Sequence, residues 1–247
     1  MRTNLDGDPV AILERIDQAN AFQFDFDPSL LDGLSSIYQD VVAPNFDLAK
    51  LRAGGSHGKV QANCLRFHIT PFGSLLAWVS ADDLATHRAF KRVFDSLGLA
   101  DAVKPLVDRR ERIVMYQGFF VVSDGVADTT WHVDYHAGSH AYTLLTPLFE
   151  LDAGVGHLLH ADGQQIKRHE YRYGAGVVVG EGFMHSTEPH PPGPRPRVLV
   201  SMTFGTDRME HWPVLQKTVG GQSPFVILPC GHQRGTCICT WQFRQTD

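Results

Sequence analysis

From residue 112 onward the chain is written in short β-rich runs, and that texture limits the fold more than any other feature. Residues 113–122, 142–151, 177–179 and 198–204 are dense in Val, Leu, Phe and Tyr and are separated by Gly, Asp or Pro. Short strands at close spacing, divided by residues that break them, pack as a sandwich or barrel, because every strand needs backbone partners on both sides. The first half reads differently. A helix is expected over about 8–19, with Asp8 as N-cap and Pro9 at its first position. A second is expected over about 28–42, where Leu30, Leu31, Leu34 and Tyr38 recur at helical spacing. Gly54, Gly55 and Gly58 break the chain before a strand-like stretch at 60–69. The clearest helix starts at Asp82-Asp83, carries Leu84, Phe90, Val93, Phe94 and Leu97 as an apolar stripe, and stops at Gly98.

The expected architecture is therefore mainly β with α. A double-stranded β-helix, or jelly roll, forms the core, and N-terminal helices pack against it. One domain spans 1–247: a helical and β support region at about 1–110, the core at about 111–205 and a C-terminal extension at 206–247. A chain of 247 residues can bury a core of that size.

Charge narrows the partners. The net charge is -5, and the densest basic cluster, Arg109, Arg110 and Arg112, is offset by Asp108 and Glu111, so no footprint for nucleic acid is expected. No apolar run approaches the roughly 18–20 residues of a membrane span. Residues 1–10 carry acids rather than the apolar segment of a signal peptide, and four cysteines in so long a chain are no disulfide framework. A soluble cytoplasmic protein is the expectation. Cys230, His232, Cys237 and Cys239 lie close together, but Cys-x-His with Cys-x-Cys departs from the usual zinc spacing. They read as partly buried thiols in a loop-rich C-terminus.

The strongest local signal is Trp131-His132-Val133-Asp134-Tyr135. In a strand, residues i and i+2 share a face, so His132 and Asp134 can reach one metal ion. A third ligand must come from elsewhere, and His185, just after the apolar run 177–179, is the best candidate. Two histidines and one carboxylate on one face of an octahedral ion suit non-haem Fe(II) and leave positions open. His-x-Asp alone is weak among 13 histidines, and order and distance give it weight. His185 lies 53 positions after His132, and 12 positions further Arg197 opens the run 197–201. A His132-x3-His136 pair of cupin type is the competing ligand set. His190 sits in a proline-rich loop and is expected exposed or at a pocket mouth. Core packing is the expected role of Trp131 and Tyr135, which flank the ligands.

In that order of elements the chain resembles the 2-oxoglutarate/Fe(II)-dependent dioxygenases, of the phytanoyl-CoA-hydroxylase-like or prolyl-hydroxylase-like branch. The resemblance covers about 112–205 and includes the rhythm Gly174-Ala-Gly-Val-Val-Val-Gly-Glu-Gly-Phe-Met-His-Ser-Thr187. It implies Fe(II) held by His132, Asp134 and His185, with 2-oxoglutarate and O2 as cosubstrates. It further implies a small-molecule substrate that is oxidised, most simply hydroxylated, with release of succinate and CO2. The 2-oxoglutarate C5 carboxylate needs a buried cation. Arg197 fits better than Arg195, which Pro194 and Pro196 hold in the preceding loop. Gln117, on the strand before the triad, is a further candidate 2-oxoglutarate contact. Members that halogenate replace the carboxylate ligand with a small residue, so Asp134 implies oxidation without halogen transfer. Two other readings compete: a cupin-type metalloenzyme that does not use 2-oxoglutarate, and a non-catalytic β-sandwich binding module.

Overall fold

The computed structural model describes residues 2–3, 9–47, 49–50, 58–72, 76–152, 154, 156–193 and 195–239. The chain opens with short strands: β1 (Arg2–Thr3), β2 (Pro9–Val10), β3 (Glu14–Arg15) and β4 (Ala21–Asp25). A continuous helical segment follows, from a 3-10 turn at Pro28–Leu31 through α1 (Asp32–Ile37) to a wider π turn at Tyr38–Val42. Next come β5 (Gly58–Ala62), β6 (Leu65–Phe72), β7 (Leu76–Ala81), α2 (Leu84–Ser96) and α3 (Leu99–Val103). The second half holds β8 (Val114–Ser123), β9 (Ala141–Pro147), β10 (Leu158–Asp162) and β11 (Gln165–His169). It finishes with β12 (Ala175–Val179), β13 (His185–Thr187), β14 (Arg197–Gly205) and α4 (Trp212–Gln222).

Among the described residues, nine strands form one antiparallel sheet in the order β3-β4-β12-β9-β14-β8-β7-β6-β5, and β11-β10-β13 form a smaller one. The two sheets give the jelly-roll core that the β-rich runs predict. Strand parity explains the layers. On β14, Val198, Val200, Met202 and Phe204 join the cluster that holds Phe90 and Phe94 of α2 and Leu34 and Tyr38 of the first helical segment. Leu199 turns the other way, to Phe119, Val121, Val177 and Val179 on the large sheet and Leu158 on the small one. β14 is buried on both faces and all nine of its residues are inside, the polar Arg197, Ser201 and Thr203 included. Phe120 anchors the helical side, its ring centroid 5.1 Å from Phe90, 5.3 Å from Tyr38 and 5.9 Å from Phe67. Burying one such ring is worth roughly 1.5–3 kcal/mol.

Several sequence expectations meet corrections here. No helix spans 9–19: β2 pairs with β1, and β3 pairs with β4 around a turn in which Asp17 takes φ 51°. Helical spacing of Val10, Leu13 and Ile16 is overridden by strand pairing at the sheet edge; Asp8 lies outside the described residues. The single strand expected at 60–69 is a hairpin, β5–β6, turned at Asn63 and Cys64, both with positive φ (51° and 63°). The 142–151 run ends as a strand at Pro147. The helix capped by Asp83 forms as expected, the Asp83 carboxylate accepting from the Thr86 N–H at 2.8 Å, with Gly98 left-handed after it. Leu84, however, faces solvent rather than the stripe. The C-terminal extension holds a helix, α4, that the sequence reading did not anticipate. The glycine break at 54–57 falls outside the described residues. No helix among them is long and apolar enough to cross a membrane.

Candidate metal centre

His132 and His185 face each other across an isolated antiparallel bridge, with N–H to O distances of 3.0 and 2.9 Å in the two directions. The bridge joins the loop before β9 to the start of β13. Asp134 sits in a bend two residues on, so same-face strand geometry is not what aligns it. The Asp134 backbone carbonyl is instead held by the Thr218 hydroxyl of α4, and the Tyr135 carbonyl accepts from Gly182 N–H at 2.9 Å. Asp134 Oδ1 lies 3.7 Å from His132 Nε2 and 3.9 Å from His185 Nε2. The three ligand atoms form a group all within 4.8 Å of one another.

The tautomers suit a metal. His132 Nδ1 lies 2.8 Å from the Thr130 carbonyl, and His185 Nδ1 lies 3.0 Å from the Phe183 carbonyl. A carbonyl can only accept, so each Nδ1 carries the proton and each Nε2 presents its lone pair towards Asp134. Burial lowers the His185 pKa while the Asp134 carboxylate opposes it, which keeps a neutral imidazole available. His136, the competing cupin-type ligand, is exposed and lies outside this group.

These residues stand in a cavity of about 380 Å³ between the two sheets. Phe72, Leu76 and Trp78 line one side, with Phe72 stacked on Trp78 at 5.1 Å, and Lys217, Thr218 and Gln222 of α4 line another. Arg197 is also in the wall, 3% exposed at the start of β14. Its Nε donates to Ser123 Oγ at 3.2 Å, Nη1 to the Gly156 carbonyl and Nη2 to Thr187 Oγ1 at 3.5 Å, while Cζ lies 5.9 Å from the Tyr171 ring centre. Those bonds engage three of the five guanidinium N–H groups and leave two. Among the described residues no carboxylate pairs with it, and burial lowers its pKa from the ordinary guanidinium value. Ser201, two residues on, lines the same cavity with its buried Oγ lacking a hydrogen-bond partner. Arg195, by contrast, is exposed and paired with Asp152 at 2.5 Å.

Gln117 is not among the cavity's lining residues: its amide donates to the Val219 carbonyl of α4 at 2.8 Å. Its position further along the strand, under α4, explains this, while a β-bulge next to it separates it from Met115. β14 pairs Thr203 with Gln117 but Phe204 with Met115, leaving Tyr116 as the extra residue. Met115 therefore faces the helices while Gln117 keeps the parity of Phe119, one step beyond the cavity and beneath α4. Tyr135 is fully buried and Trp131 partly so. His190, expected exposed or at a pocket mouth, is 8% exposed, bridged to Val126 and not among the residues lining this cavity. Lys217, Thr218 and Tyr171 are the site residues that sequence reasoning missed. Only the recurrence of apolar Trp212, Leu215 and Val219 at helical spacing could have pointed to the first two.

No family model and no curated protein matches this chain. Solved structures do. EctD from S. alaskensis in its apoform is 15% identical, covers 84% of each chain and gives a TM-score of 0.51. The same protein with bound Fe gives 0.51 at 16% identity and 84% of each chain. With 2-oxoglutarate and 5-hydroxyectoine it gives 0.50 at 16% identity and 83% of each chain. HygX from Streptomyces hygroscopicus, with nickel and 2-oxoglutarate bound, is 13% identical over 76% of this chain and 83% of its own, with a TM-score of 0.47. At this identity the likeness is one of fold.

Proposed function

We propose that this protein is a non-haem Fe(II)- and 2-oxoglutarate-dependent oxygenase that oxidises, most simply hydroxylates, a small organic molecule. The observation that carries the reading is Arg197: a buried cation that no carboxylate pairs among the described residues, in the wall of the cavity that also holds the His132, Asp134 and His185 group. An enclosed guanidinium with two free N–H groups, beside the unpartnered Ser201 hydroxyl, suits one end of a dicarboxylate. The donor set of two imidazole nitrogens and one carboxylate oxygen suits Fe(II) with positions left open. The fold is that of EctD, which has been seen with Fe and with 2-oxoglutarate.

His132 Nε2, Asp134 Oδ1 and His185 Nε2 would hold the iron, and Arg197 with Ser201 would hold the C5 carboxylate of 2-oxoglutarate. When bound, iron and 2-oxoglutarate supply oxidation of a C–H bond by O2, coupled to release of succinate and CO2. The chain's own contribution is to orient and to keep water out. Thr130 and Phe183 carbonyls fix the imidazole tautomers, and Thr218 fixes the Asp134 backbone. Leu145, Leu158 and Leu199 give the cavity an apolar wall. Anaerobically purified protein given Fe(II), 2-oxoglutarate and O2 is expected to release succinate even with poor substrates. If substrate is consumed without 2-oxoglutarate and no succinate forms, the cupin-type reading replaces this one.

A further inference from the structure

A second group of ligands lies away from the cavity, in the loop after α4. Cys230, His232, Cys237 and Cys239 each present a ligand atom, and these four atoms are all within 4.8 Å of one another. Cys230 Sγ and Cys237 Sγ are 3.8 Å apart, far longer than a disulfide bond of about 2.05 Å. A tetrahedral zinc ion with Zn–S bonds of about 2.3 Å places its sulfurs about 3.8 Å apart. We propose that Cys230, His232, Cys237 and Cys239 form a closed structural zinc site that fastens α4 to the sheet.

The one-residue spacers, which depart from usual zinc spacing, are accommodated by the local backbone. Gly231 between Cys230 and His232 has φ 85°, a left-handed turn that brings both side chains to the same side. The loop closes on itself, with Leu228 N–H bonded to the His232 carbonyl and Gly231 N–H to the Leu228 carbonyl, both at 2.8 Å. Three thiolates and one neutral imidazole around a divalent ion carry net charge of about -1, and the Arg112 side chain packs against Gly231. Four protein ligands leave no open position, so the ion supports structure rather than catalysis.

The loop is tied to the cavity through α4. Arg234, between the two ligand pairs, donates to the carbonyls of Gly220, Ser223 and Pro224, each at 3.3 Å, at the C-terminal end of that helix. Cys230 and Cys237 pack on the cluster of Trp212, Leu215, Val219 and Tyr135. The same helix presents Lys217 and Thr218 to the cavity.

Metal analysis of the full chain tests this. The His132→Ala/Asp134→Ala double variant removes the cavity's group of ligands, and His140→Ala/His211→Ala removes a third close group formed with Asp108. Each is expected to retain about one zinc per chain, as is Cys64→Ser. Cys237→Ser/Cys239→Ser is expected to lose the zinc. Should that variant fail to fold, Co(II)-loaded protein with intact cysteines decides. A thiolate-to-cobalt charge-transfer band with the intense visible bands of a tetrahedral ion is expected, which ligation by His132, Asp134 and His185 cannot give. Zinc-free His132→Ala/Asp134→Ala or His140→Ala/His211→Ala protein, unchanged zinc after loss of both cysteines, or a cobalt spectrum without the thiolate band would each overturn the proposal.

Discussion

Replacing Arg197 with alanine tests the dicarboxylate reading most directly. The side chain is 3% exposed, and its partners Ser123 Oγ, the Gly156 carbonyl and Thr187 Oγ1 are neutral. A carboxylate brought into that wall therefore depends on this guanidinium for its countercharge. Removing one partner of a buried ion pair costs on the order of 3–5 kcal/mol, or two to four decades in affinity. Arg197→Ala is expected to raise the apparent 2-oxoglutarate constant by that factor in a succinate-release titration, and to weaken 2-oxoglutarate binding alike in anaerobic calorimetry. Arg195→Ala, which removes an exposed pair with Asp152, is expected to change it little, since such pairs are worth about 0–1 kcal/mol. Circular dichroism and iron content should match the parent in both variants, which separates lost binding from lost fold. Near-native 2-oxoglutarate binding by folded Arg197→Ala would refute the reasoning, and the reverse ranking would move the role to Arg195.

Three other expectations follow from the same structure. His132→Ala, Asp134→Ala and His185→Ala should each abolish succinate release while keeping the circular dichroism spectrum; iron-replete, active His185→Ala would show the ligand set to be wrong. Because Asp134 fills the carboxylate position, turnover in chloride buffer should give oxygenated and never chlorinated product, as read by mass spectrometry. Burial pushes the His87 imidazole down from 6.5 to about 4, against the opposing Met115 carbonyl. The unfolded chain then takes up a proton that the folded one refuses, so stability is lost as pH falls from 6.5 towards 4, by about 2 kcal/mol at pH 5. Urea unfolding of His87→Gln should lack that part of the slope, and an unchanged slope would place the dependence elsewhere.

Legibility in the sequence followed how local the cause was. The core strands could be read because burial on two faces demands short runs rich in apolar residues, as at Val198–Val200 and Met202–Phe204 of β14. The helix at Asp83 could be read because its cap and stripe are local. That His132, Asp134 and His185 come together could be read through residue type and order, although a bend at Asp134, not strand parity, is how the chain aligns it with His132. The edge strand β3 could not, because Asp8 and Pro9 imitate the start of a helix there, and β4 could not, because its inner partner β12 lies some 150 positions further along the chain.

Gln117 shows the same limit at the site itself. Simple alternation puts it on one face with Met115 and Phe119, and a single extra residue at Tyr116 undoes that on one side only. The bulge is set by pairing with β14, some ninety positions later, so no window around Gln117 contains it. What then occupies the space beside Gln117 is α4, whose Val219 carbonyl accepts from the Gln117 amide and whose Thr218 hydroxyl holds the Asp134 carbonyl. Two polar contacts from one helix thus connect the β-bulge to Asp134. The residue that holds the Asp134 backbone comes from a segment whose own sequence gives no sign of that contact. For that reason Thr218→Val, which keeps the shape of the side chain and removes only the hydroxyl that holds the Asp134 carbonyl, should weaken Fe(II) binding in an anaerobic titration while circular dichroism stays that of the parent. Unchanged iron affinity would refute it.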